Sequence, residues 1–178
     1  IAEAISYAHQ RGVLHRDLKP SNILVVQEDV EGSTLSGPSG PQIKILDFGL
    51  ARIAEAEDDG ATALTRAGQV QGTLPYMSPE QAILNQLDVD TRTDIYSLGV
   101  ILYELLTGVP PYRGETPVKT LLMVREDPLR SVMARSPKAP PELASVAQRA
   151  LNRDPEKRYQ SAQDLSQDVD AFMTGGRV

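Results

Sequence analysis

The chain has 178 residues, 40% of them hydrophobic and 24% charged, with a net charge of -6 and no cysteine. That length and apolar content suit one domain with a packed core, or a large piece of one. The acidic balance argues against nucleic acid, which is held by basic surfaces, and the lack of cysteine excludes disulfides and thiolate metal sites.

Taken in chain order, Ile1, Ile5 and Ala8 share one helical face and Gly12 follows as a stop, so 1–11 reads as the tail of a helix. Residues 13–22 form a loop stiffened by Pro20. The β-branched runs 23–26 and 43–46 predict two small strands. The Gly/Ser/Pro-rich residues between them bury little, so 27–42 reads as an inserted, flexible surface loop. Residues 50–80 show no period, and loops of that length are functional or disordered. The acidic run at 55–59 reads as solvated. Thr91 and Asp94 fit a capping box, opening a helix whose apolar residues at 95–106 lie on nearly every side; such a helix is buried. Its apolar run covers 12 residues, short of the ~20 that cross a bilayer.

Gly108 and Pro110-Pro111 end that helix. A weaker helix is predicted over 117–125. A clear one starts at Pro140-Pro141, with Leu143, Val146, Ala147, Ala150 and Leu151 at helical spacing. The last opens at Ser161, with Leu165, Val169, Phe172 and Met173 facing inward and Gly175-Gly176 as a stop. His9 reads as a packing residue. No secretory leader is visible, so the expected location is cytoplasmic, with no membrane segment in these residues and the flanks left open.

Two acidic motifs carry the chemistry. The first is His15-Arg16-Asp17-Leu18-Lys19-Pro20-Ser21-Asn22; the second is Asp47-Phe48-Gly49. Asp17 alone would be an ordinary loop acid and Asp47 alone a turn residue. Together, the spacing sets Asp17 and Asn22 on one tight turn with Lys19 between them. A carboxylate can orient a hydroxyl and take its proton. An amide oxygen and a carboxylate are hard ligands of the kind Mg²⁺ takes.

These motifs, in this order, resemble the protein-kinase signature set. Further segments agree: 72–80, reading Gly-Thr-Leu-Pro-Tyr-Met-Ser-Pro-Glu with Ser78 where the family has Ala; Asp94-Ile95-Tyr96-Ser97-Leu98-Gly99; Gly108-Val109-Pro110-Pro111-Tyr112; and Arg158. The whole chain resembles the C-terminal lobe of a eukaryotic-like serine/threonine protein kinase of bacterial type. The resemblance implies a mainly α fold with a small β element (α+β), running from part of helix E to helix I, with 47–80 as the activation segment and no N-terminal lobe.

The resemblance implies transfer of the ATP γ-phosphate to a Ser or Thr of a protein substrate, with Mg²⁺ (or Mn²⁺) as the metal. Asp17 would be the catalytic carboxylate, Lys19 would meet the γ-phosphate, Asn22 and Asp47 would hold the metal, and Leu24 would contact adenine. Thr73 would help select hydroxyl substrates. His15 and Phe48 would stack in a lobe-bridging spine, Asp94 would anchor the catalytic loop, and Glu80 and Arg158 would form a buried ion pair. Arg16 could pair with a phosphate on Thr62 or Thr65, Thr65 preferred.

The sequence departs from the family in its long 17-to-47 connection, which the 27–42 insertion explains. It also lacks the Gly-rich loop, strand lysine and helix-C glutamate, so the fragment is expected to be truncated and inactive alone. The alternative is a pseudokinase or scaffold binding module, against which the retained Asp17, Asn22 and Asp47 speak. A small-molecule kinase would usually lack the Pro79-Glu80 and Arg158 matches. A nonfunctional gene fragment is the remaining reading.

Overall fold

In the computed structural model, residues 1–26, 42–48, 72–83 and 89–176 are described. They are mostly helical, with one two-stranded sheet. The helices are α1 (Ala2–His9), α2 (Pro79–Ala82), α3 (Thr91–Thr107), α4 (Pro117–Glu126), α5 (Val132–Arg135), α6 (Pro141–Ala150) and α7 (Ala162–Met173). Short 3-10 turns cover Pro20–Asn22, Leu74–Tyr76 and Pro155–Lys157.

Helix α3 is the axis. Its side chains from Thr93 to Ile101 are all buried, as is Tyr103. Ile95, Leu98 and Ile101 pack with Ile5, Leu18, Val146 and Leu165 on one side. Tyr96, Val100 and Tyr103 pack with Val132, Ala144 and Ala147 on the other. One helix thus serves two apolar clusters, which is why its sequence shows no polar face. Gly99 lets α6 come close: a Cβ there would stand 2.7 Å from the Ala150 Cβ. Gly108 ends the helix at φ 78°, a left-handed conformation that glycine adopts without cost.

The capping box expected at Thr91 and Asp94 is not how α3 starts. Asp90 is the N-cap and accepts the Arg92 N–H; the Asp94 carboxylate turns to the loop beneath α1. The expected all-round burial also stops short, since Leu105 is 77% exposed. Met173, expected inside, is 73% exposed on the last turn of α7. Helix α1 ends at His9 rather than 11, with Gly12 at φ 72° in the turn after it. The aperiodic reading of 50–80 missed two elements, the Leu74–Tyr76 turn and α2. Their signal was present: Ser78 and Gln81, three apart, form a capping box at α2.

Strands β1 (Ile23–Val26) and β2 (Gln42–Ile45) pair antiparallel, Ile23 opposite Ile45 and Val26 opposite Gln42. Ile23 and Ile45 lean on the core while Leu24, Val25 and Ile43 remain exposed. The insertion expected over 27–42 lies, apart from Gln42, outside the described residues. Among the described residues no helix is long and apolar enough to cross a membrane.

Candidate active site

Asp94, fully buried on the first turn of α3, organises the loop that carries the first motif. Its Oδ2 accepts the His15 N–H at 2.8 Å and its Oδ1 the Arg16 N–H at 2.7 Å. His9, at the end of α1, closes the group with its Nε2 at 2.8 Å from Asp94 Oδ2. Charge-assisted bonds of this kind are about twice as strong as neutral ones. They tie α1, the loop and α3 into one unit. The sequence suggests only a packing role for His9; nothing in its neighbourhood points to a partner 85 positions away.

With its N–H held, Arg16 takes φ 65°. A left-handed conformation costs a non-glycine residue about 1–3 kcal/mol and persists only where its surroundings hold it. The loop then presents Asp17. Its Oδ2 lies 2.8 Å from Lys19 Nζ and 3.3 Å from Asn22 Nδ2, which also donates to the Asp17 carbonyl at 2.8 Å. Asp17 Oδ1 is shut off from solvent and has no hydrogen-bond partner among the described residues. A buried acceptor left without a partner in this way is a poor structural device and points to a functional role. Lys19 Nζ also donates to Thr73 Oγ1 at 2.7 Å, so residues 17, 19 and 73 meet at one ammonium.

The second motif lies alongside. The Leu46 N–H donates to the Asn22 carbonyl at 2.9 Å, and His15 Nε2 donates to the Leu46 carbonyl at 2.9 Å. Nδ1 of the same ring accepts the Asp17 N–H at 3.3 Å, so His15 is the Nε2–H tautomer. His15 and Phe48 rings are 4.8 Å apart and tilted by 51°. Asp47, between Leu46 and Phe48, is exposed and takes φ 57°. Both acidic motifs thus hold their aspartate at or next to a strained left-handed residue, a pattern concentrated at functional sites. Leu24 is 44% exposed on β1, and Arg16 is exposed. Thr62, Thr65 and Gly49 lie outside the described residues.

Below the turn, Arg158 grips Glu80 through two parallel bonds of 2.7 and 2.8 Å. It also donates to the carbonyls of Arg92, Asn152 and Arg153. Thr93 donates to Glu80 Oε1 at 2.9 Å. Burial would raise the Glu80 pKa, but the Arg158 bonds and charge outweigh it and hold the carboxyl below its usual range. Gln81, for which the sequence suggests no site role, donates its Nε2 to the Arg16 carbonyl at 2.8 Å.

Among the described residues no three or more acidic or histidine side chains are grouped to hold a metal alone. The oxygen donors at hand are the Asn22 amide, whose nitrogen is engaged with Asp17, and the exposed Asp47 carboxylate. An amide oxygen and a carboxylate are ligand types that a hard divalent cation takes.

Residues 1–169 match the family model of the protein kinase domain. A probable serine/threonine-protein kinase of Streptomyces coelicolor is 39% identical over 100% of this chain and 24% of its own length. The serine/threonine-protein kinase PknB of Mycolicibacterium smegmatis is 39% identical over 94% of this chain and 24% of its own. A probable PknB of Bifidobacterium longum is 35% identical, over 99% and 23%. The chain therefore spans about a quarter of the length of these curated relatives.

Proposed function

The chain belongs to the protein kinase domain family, and from that membership we propose that it forms the C-terminal lobe of a serine/threonine protein kinase that moves the ATP γ-phosphate to a protein hydroxyl. One observation carries the reading: the Lys19 ammonium stands 2.8 Å from Asp17 and 2.7 Å from Thr73. A fixed positive charge between a carboxylate with an open oxygen and a hydroxyl is what phosphoryl transfer asks of a protein, since catalysis there is mostly positioning and charge stabilisation.

In this reading Asp17 orients the substrate Ser or Thr and takes its proton. The substrate oxygen bonds to the γ-phosphorus as the bridging P–O bond breaks and ADP leaves. Lys19 meets charge developing on the transferred group, and Thr73 favours a short aliphatic hydroxyl beside it. Asn22 and Asp47 would hold Mg²⁺, or Mn²⁺ in its place, which would neutralise phosphate charge. Leu24 lies under adenine, His15 and Phe48 form the spine, and Arg16 pairs with a phosphate carried on Thr65 or Thr62 in the 47–80 activation segment.

The apolar side chains around the hairpin support the assignment to one lobe. A hollow of about 530 Å³ is lined by Ala4, Tyr7, Ala8, Val13, Ile45 and Phe48, among others, and Leu24, Val25 and Ile43 are exposed on the hairpin that supplies Ile45. Exposed apolar surface that extensive marks an interaction face, here one for an N-terminal lobe. The 178 residues alone hold half of a nucleotide site, so their isolated transfer rate is negligible. The test is Asp17→Asn in the protein that carries this chain. Transfer from ATP to a Ser/Thr protein substrate should fall about 10²–10⁴-fold. An unchanged rate refutes the role of Asp17.

A further inference from the structure

Gln81 is 4% exposed in α2, and its side chain works in two directions at once. Its Oε1 accepts the Ser78 N–H at 3.0 Å and the Ser78 hydroxyl at 3.3 Å, while Ser78 Oγ accepts the Gln81 N–H at 3.4 Å. Its Nε2 donates to the Arg16 carbonyl at 2.8 Å. A capping box accepts glutamate as readily as glutamine. Helix chemistry therefore gives no reason for an amide here, but the Arg16 carbonyl does, because a carboxylate would set acceptor against acceptor.

The bond matters because of where that carbonyl lies. The Arg16 carbonyl and the Asp17 N–H are two ends of one planar peptide unit. The first is held by Gln81 and the second by His15 Nδ1 at 3.3 Å. Asp94 fixes the N–H of Arg16 at 2.7 Å and so the near side of this left-handed residue, φ 65°. It leaves rotation about the Arg16 Cα–C bond free, and that rotation swings Asp17.

We propose that Gln81 is a positioning residue for the transfer reaction: its amide locks the peptide plane between Arg16 and Asp17 and so sets the stance of the Asp17 carboxylate. The proposal rests on the role of Asp17 argued above. It makes the position of α2, at the end of the activation segment, directly felt at the catalytic loop.

The experiment measures kcat and KM for ATP and protein substrate in the protein that carries this chain, per folded molecule, for wild type, Gln81→Glu and Ser78→Ala. Gln81→Glu keeps the cap and removes the donor. Its kcat should fall about ten- to a hundredfold, the scale of a displaced catalytic group, with both KM values within about twofold. Ser78→Ala weakens the cap and keeps the donor, so its thermal midpoint should drop while kcat stays at the wild-type value. If Gln81→Glu does not fold, Gln81→Met, uncharged and equally long, takes its place with the same expected loss. Wild-type kcat in the Gln81 variant, or equal kcat losses in the Gln81 and Ser78 variants, overturns the inference. Absence of transfer by the wild type would instead overturn the kinase reading.

Discussion

The turn at Asp17 and the pair beneath it treat a carboxylate in opposite ways. Glu80 has both oxygens satisfied, Oε1 by Arg158 and Thr93 and Oε2 by Arg158 again. Asp17 has one oxygen shared by Lys19 and Asn22 and the other without a partner among the described residues. Around Glu80 every bond serves stability. Around Asp17 the backbone is strained at Arg16 and one carboxylate oxygen goes unused, features that cost stability and are expected of a functional site rather than a structural one. The difference teaches where this fold tolerates change: a variant at Asp17 should alter chemistry with little effect on folding, and a variant at Glu80 or Arg158 the reverse.

The strongest way to break that contrast is Arg158→Met. It strands a buried carboxylate and removes the donor to three carbonyls, and losses of this kind run to about 3–5 kcal/mol. Urea denaturation should show that loss, while Asp17→Asn should shift the same midpoint little. The double variant Arg158→Met, Glu80→Leu should recover much of it, because replacing both members of a buried pair by apolar groups is often neutral. A double variant as unstable as the single would mean that the carbonyl bonds, not the ion pair, hold this corner.

Asp94 sharpens the contrast because it belongs to both regions. It sits in the core helix, yet its bonds fix the loop that presents Asp17. Asp94→Asn keeps the shape but offers one acceptor where two N–H groups and His9 converge. We expect a loss of about 2–3 kcal/mol, the worth of hydrogen bonds to a charged group, together with a fall in any transfer activity. Stability and activity should decline together here and separately at Arg158 and Asp17.

Acid gives a smaller effect on the same corner. The folded-state pKa of Glu80 lies below its ordinary value, so the folded protein binds a proton there less readily than the unfolded chain. Its contribution is fully present above the ordinary carboxylate pKa, about 4.3, and is lost as pH falls through the depressed folded value. Unfolding free energy measured from pH 6 downward should therefore decline more steeply below about pH 4.5 in the wild type than in Glu80→Leu, Arg158→Met.

The sequence exposed the two acidic motifs, both strands and most helices because these rest on local rules: period, punctuation and spacing. It misplaced the N-cap of α3 because Asp90 and Thr91 are both good caps, and the choice was made by distant amides that claim Asp94. It missed the roles of His9 and Gln81 for the same reason, since each bond joins residues 65 or more positions apart. Gln81 was half legible, as the far member of a Ser-x-x-Gln box, but only the fold shows what its other end touches. The pairing of Arg158 with Glu80 was reached through family resemblance alone; composition around Arg158 would have placed it on the surface.

Leu105 is the place where local pattern failed most plainly, and it yields the smallest expected effect. Its neighbours Tyr103 and Ile101 are buried, yet Leu105 is 77% exposed, because on the face of Ile101 the helix runs past the first cluster, while Leu106 beside it still packs against the second. A leucine so exposed has little transfer free energy to lose, which scales with area removed from water. Leu105→Gln should therefore change unfolding free energy by no more than about 0.5 kcal/mol, as for ordinary surface positions, whereas Ile101→Ala, four residues earlier on the same helix, should cost about 2–5 kcal/mol. A loss at Leu105 rivalling that at Ile101 would mean that this face of the helix is covered, and would extend the first apolar cluster by one turn of α3.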